Sequence, residues 1–136
     1  MKSSFDTDTI LFRILRDSSI KTAISGDIYY EGDRPADSNK EDIVINTVTL
    51  TQDYHPQLGD SNVNIYVPDS IIPIDGKQQR VPNRIRLKQL TELAIQAIRD
   101  SRNEGLKANL KWQRTLQEPE INQTFTNIRI SWNIQI

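Results

Sequence analysis

The chain has 136 residues, 26% of them charged and 36% apolar, with a formal net charge of −1. That length suits one domain with a modest core, and the balanced charge removes any global pull towards nucleic acid or a membrane surface. With no cysteine there is no disulfide framework and no thiolate metal site.

The first residues, MKSSFDTDTILFRIL, carry acids and no long apolar run, and do not read as a signal peptide. Nothing in the chain approaches the roughly 20 apolar residues of a membrane span. Asp8–Ala23 is predicted as a helix with Ile10, Leu11, Ile14, Leu15 and Ile20 on one stripe, and Thr7 or Asp8 as its cap. The Asp17-Ser18-Ser19 step leaves open whether this is one helix or two. After Gly26, the residues Ile28, Tyr29 and Tyr30 form a short strand. Glu31–Asp42 is a loop in which Glu31, Asp33, Asp37, Glu41 and Asp42 stand against Arg34 and Lys40. Its Gly, Pro, Asp and Asn residues are turn chemistry.

Ile43–Gln52 is a β-branched run expected as a central strand. Asp53–Asp60 is a polar turn holding the only histidine, His55. Asn62–Val67 alternates cleanly, with Val63, Ile65 and Val67 facing the core. Pro68–Val81 is too long for an ordinary connection, and Ile71, Ile72 and Ile74 make it too apolar for a solvated loop. It reads as an arm, with Pro68, Pro73 and Gly76 preventing regular pairing. Asn83–Asn103 is the longest periodic segment. Leu87, Leu90, Ala94, Ala97 and Ile98 make its stripe, Pro82 precedes it and Gly105 follows it.

Leu106–Leu116 alternates, with Leu106, Ala108, Leu110, Trp112 and Leu116 on one side. Thr124–Ile136 does the same through Ile128, Ile130, Trp132 and Ile134, and Glu118-Pro119-Glu120 with Asn122 makes the turn between them. The expected fold is α+β: a single antiparallel four- to five-stranded sheet with two helices packed on one face. The order is α-β-β-β-α-β-β, in one domain over residues 1–136 with an arm at 68–81. Leu90, Ala94, Ile98, Trp112, Ile130, Trp132 and Ile134 are expected to be buried together.

No catalytic constellation emerges. One histidine and no cysteine exclude Cys–His catalysis, and there is neither a Gly-rich phosphate loop after a strand nor a Gly-x-Ser-x-Gly elbow. Asp53, His55 and Asp60 read as a solvated turn, and Glu31–Asp42 lacks the spacing of a calcium loop. The expectation is therefore a protein that is not an enzyme and has no cofactor or metal. One charge pattern stands out. Lys77, Arg80, Arg84, Arg86 and Lys88 fall between Gly76 and Thr91 with no acid among them, several at the positive end of a helix dipole. Three readings stand: a solvated helix face, a patch for a partner's acidic surface, or a contact for nucleic-acid phosphate.

The order of elements resembles the tail-terminator and tail-completion (minor tail, head–tail joining) proteins of tailed bacteriophages and prophages. The likeness runs through the first helix and the loop Tyr30-Glu31-Gly32-Asp33-Arg34-Pro35. It continues through the strands Asp42-Ile43-Val44-Ile45 and Val63-Asn64-Ile65-Tyr66-Val67, the helix Leu87–Arg99, and the closing Ile128-Arg129-Ile130-Ser131-Trp132. The arm Pro68–Val81 is longer than the family's usual crossover. The resemblance implies a structural virion component forming a homo-oligomeric ring, often sixfold. Such a ring terminates the tail tube or joins it to the head connector. Its expected place is the virion tail, and the host cytoplasm during assembly. Its partners would be tail-tube and head-connector proteins, with passing contact to DNA in the lumen and none to membrane. A head-to-tail ring needs two complementary patches on each chain. The candidates are Glu31, Asp33, Asp37 and Asp42 on one side and Arg80, Arg84, Arg86 and Lys88 on the other, with Ile71, Ile72 and Ile74 reaching over a neighbour. The alternative is a non-enzymatic ligand- or nucleic-acid-binding module using the open face of the sheet.

Overall fold

The computed structural model describes every residue, Met1–Ile136. The N-terminal helix α1, Ser4–Arg16, begins earlier than its apolar stripe suggests, because Ser3 and Asp6 form a reciprocal capping box. The Asp17-Ser18-Ser19 step does divide the segment, and Ile20–Ala23 is a separate short helix, α2. The long helix α3, Arg84–Asp100, is capped by Asn83, whose side chain accepts from the Arg86 N–H.

The strands are β1 (Ile28–Tyr30), β2 (Asp42–Leu50), β3 (Gln57–Pro68), β4 (Ser70–Ile74), β5 (Lys77–Val81), β6 (Leu106–Glu118) and β7 (Gln123–Ile134). Five of them form one sheet in the order β1-β2-β3-β7-β6, while β4 and β5 make a separate two-stranded sheet. The class is α+β. The sheet is not wholly antiparallel, however, because β1 runs parallel to β2. The loop between them carries the chain back along the sheet, and only a return of that kind lets consecutive strands run the same way.

One apolar layer joins the helices to the sheet. Leu11, Leu15 and Ile20 meet Leu87, Leu90, Ala94 and Ile98 over Ile43, Ile45, Val63, Ile65, Ile128, Ile130, Trp132 and Ile134. Trp132 is fully enclosed and donates its indole N–H to Ser61 Oγ at 2.7 Å, so its one polar atom is satisfied within the core.

Two bulges redirect side chains. In β2 the register shifts between Thr47 and Thr49, which leaves Val48 exposed. In β6 it shifts between Leu110 and Trp112, at Lys111. Because side chains alternate, one extra residue exchanges the two faces. Leu110 still pairs with core-facing Ile130, but Trp112 pairs with Arg129 and Gln113 with buried Ile128. Trp112 is thus turned to the outer face and is 47% exposed, not buried with Trp132 as its spacing suggests. There it lies between cations, with the Arg129 guanidinium carbon 5.3 Å and Lys111 Nζ 5.2 Å from its ring centre.

The arm is also more regular than expected. Residues 70–81 form an antiparallel hairpin, with Ile74 opposite Lys77 and Pro73 opposite Gln78. Asp75 and Gly76 both have positive φ, 52° and 77°, the conformation a tight two-residue hairpin turn requires. Pro73 does not break the ladder. The pair flanking such a turn exchanges hydrogen bonds and the next pair does not, so Pro73 occupies a position whose nitrogen points outward.

Candidate assembly interface

The structure divides the predicted interface residues into two groups. Asp42 and Arg86 are engaged within the chain. Asp42, at the start of β2, has a side chain only 1% exposed. It accepts from Arg34 Nε at 2.8 Å, from the Asp27 N–H at 2.9 Å and from the Ser38 hydroxyl. Arg34 in turn donates to Gln123 Oε1 at 2.7 Å and lies 4.2 Å over the Tyr66 ring. Gln123 closes the circuit by donating to the Ser38 carbonyl at 2.7 Å. This network ties the acidic loop to β1, β2, β3 and β7. Asp42 is therefore a structural hub that presents nothing to a partner. Gly26 permits the arrangement, because a Cβ there would fall 1.8 Å from Asp42 Oδ1.

Arg86 is drawn back along α3 to Glu41, which it grips with two hydrogen bonds, Nε to Oε2 at 2.5 Å and Nη2 to Oε1 at 2.9 Å. It also donates to the Ala23 carbonyl. Glu41 receives a further bond from the Ser25 N–H. The Arg86 hydrogen bonds hold the Glu41 carboxyl below its ordinary range, and Glu41 raises the Arg86 guanidinium in return. The basic helix end and the acidic loop do meet, but inside one chain and through Glu41.

The remaining candidates stay outward. Asp33 and Asp37 are exposed on the loop, while Glu31 accepts from Asn46 Nδ2 at 2.9 Å. Arg80 and Arg84 are exposed without a carboxylate partner, and Lys88 pairs with Glu92 along the helix at 2.8 Å. The apolar candidates are more telling. Ile71, Ile72 and Ile74 are 56%, 41% and 40% exposed on a hairpin with no extended packing against any other element. Ile85, in the first turn of α3, is also strongly exposed.

Sequence reasoning did not single out the groove beside this helix. Beyond its bulge, β6 presents Gln113, Thr115 and Gln117 towards α3, and an open groove of about 840 Å³ separates them from Leu87, Thr91 and Ile95. Apart from an isolated bridge between Asn103 and Leu106 at its start, the outer edge of β6 is unpaired. On the opposite face of the sheet, Asn127 donates to Asn62 and Asn64 at 3.0 and 2.7 Å, while its own Oδ1 and that of Asn46 are buried without a hydrogen-bond partner.

These features describe an α+β layer from which a hairpin projects with apolar and basic side chains exposed; Phe5, Tyr54 and Leu58 are exposed elsewhere on the domain. No group of His, Asp or Glu side chains is arranged to hold a metal ion, and no helix is long and apolar enough to cross a membrane. No family model matches the chain, and no curated protein matches it significantly.

Proposed function

We propose that this protein is a structural, ring-forming component of a phage or prophage tail, closing the tail tube or joining it to the head connector. The reading is of assembly rather than catalysis. One observation carries it: an ordered hairpin projects from the domain with three isoleucines exposed and no counterpart in its own chain. Solvated apolar surface concentrated on a projecting element is characteristic of a contact surface. The exposed Asp33 and Asp37, and the exposed Arg80 and Arg84, add charges of opposite sign that would orient neighbours more than bind them.

The test is light scattering over a concentration series. The parent is expected to form a discrete oligomer. The double variant Ile72→Ser/Ile74→Ser should remain monomeric with an unchanged circular dichroism spectrum. Charge is tested with Arg80→Glu/Arg84→Glu, leaving Arg86 untouched because it supports the fold. That pair should weaken assembly at low salt, and Asp33→Arg/Asp37→Arg in the same chain should restore part of it. A parent that stays monomeric at every concentration, even with a tail-tube protein added, overturns the proposal. Normal assembly with lost DNA retention in the arginine variant moves those residues to a phosphate contact.

A further inference from the structure

We infer that the hairpin seats on a neighbouring copy as an added strand, with β5 pairing along the free edge of β6 and the isoleucine face lying in the groove beside α3. The inference rests on the assembly reading above and names the surface that receives the arm.

The hairpin has only one edge suited to strand addition. Counting from the two-residue turn, Ile74–Lys77 and Ile72–Gln79 are hydrogen-bonded pairs, whereas Pro73–Gln78 and Ile71–Arg80 are not. The outer edge of β4 therefore offers a proline nitrogen with no hydrogen to donate. The outer edge of β5 offers the complete backbone groups of Gln78 and Arg80. A proline on one edge blocks pairing there and leaves the other edge free.

The receiving edge is β6. It is a long outer strand of the main sheet, and only its first half packs its inner face against the core, through Leu106, Ala108 and Leu110. The bulge at Lys111 turns Gln113, Thr115 and Gln117 inward instead, and α3 does not close over them. The result is an unpaired edge beside a groove whose lining includes Ile85, Leu87 and Ile95 together with Arg84, Lys88 and Glu92. Lys77–Val81 and Gln113–Gln117 are equal runs, so β5 matches the uncovered part of β6 in length. Strand addition of this kind derives affinity from main-chain hydrogen bonds and specificity from alternate side chains entering a groove. On the added strand those side chains would be Lys77, Gln79 and Val81, with Ile72 and Ile74 of β4 on the same face one strand farther out. The hairpin does not occupy its own groove, since Val81 passes through Pro82 and Asn83 directly into α3 and leaves no slack for it to fold back. The arm and the groove are therefore different patches of one chain, as a head-to-tail contact requires.

Gln78→Pro removes the outward N–H of β5 without breaking a hydrogen bond of the hairpin. It is expected to raise the concentration for half-assembly by about tenfold, the equivalent of one or two edge hydrogen bonds. Disulfide trapping gives an independent measure, because the chain has no cysteine to compete. A Gln79→Cys chain mixed with Gln113→Cys, Thr115→Cys or Gln117→Cys chains should yield a cross-linked heterodimer with at least one of the three. Lys107→Cys, at the far end of β6, should not cross-link. Should Gln78→Pro lose the parent's circular dichroism, the trapping result decides. If the parent assembles yet Gln78→Pro matches it, or no cysteine pair links above the Lys107 control, the arm seats elsewhere and this inference falls while the assembly reading stands. A parent monomeric under all conditions removes both.

Discussion

Replacing Asp42 with alanine should destabilise the protomer by about 3 kcal/mol. The side chain is 1% exposed and that of Arg34 is 13% exposed, so removing the carboxylate strands a largely desolvated guanidinium. It also leaves the Asp27 N–H and the Ser38 hydroxyl without their acceptor. Removing one partner of a buried ion pair costs about 3–5 kcal/mol. The lower end applies here, because Arg34 keeps Gln123 and the Tyr66 ring and can turn partly to water. Asp42→Asn keeps the shape and an acceptor for Asp27 but loses the charge, and should cost about 1–3 kcal/mol. The assay is urea unfolding followed by circular dichroism. With a slope of about 1–3 kcal/mol per molar, Asp42→Ala should lower the midpoint by about 1–3 M. Asp33→Ala and Asp37→Ala, on the same loop but exposed, should stay within about 0.5 kcal/mol of the parent. If Asp42→Ala unfolds with the parent and fails only in assembly, the hub is refuted and Asp42 returns to the interface.

Trp132→Ala should cost about 3–5 kcal/mol, as expected for a fully enclosed aromatic, whereas Trp112→Ala on the outer face should cost about 1 kcal/mol or less; paired urea titrations separate them. Glu41 has its carboxyl held below the ordinary value by Arg86, so its contribution to stability is present above the ordinary glutamate range and is lost as pH falls through the depressed value. Arg86→Met should therefore lower stability at pH 7 and flatten this acid limb, and an unchanged slope between pH 6 and pH 3 would contradict the pairing.

The strongest periodicities survived folding because each describes a local face that must be buried whatever covers it. The stripe Leu87, Leu90, Ala94 and Ile98 is the buried face of α3, and Val63, Ile65 and Val67 face the core from β3. The Glu118–Asn122 turn joins β6 to β7 as its residues suggest. The Asp75-Gly76 pair was an equally local signal for the hairpin, and Pro73 masked it. Whether a proline breaks a ladder depends on which way its nitrogen points, and the turn determines that direction.

Other features were set only when distant segments met. Trp112 belongs to a clean alternation in sequence, but the bulge at Lys111 becomes visible only against the register of β7. Asp42 and Arg86 are ordinary members of charged runs until Arg34, Gln123 and Glu41 are brought beside them. Likewise, β1 lies parallel to β2 because the loop returns the chain along the sheet, and no periodicity within a three-residue strand encodes its neighbour's direction. Helical and strand periods are properties of a segment and can be read from it alone. Register, the pairing of charges and the exposure of an edge are relations between segments, and they exist only once the chain has packed.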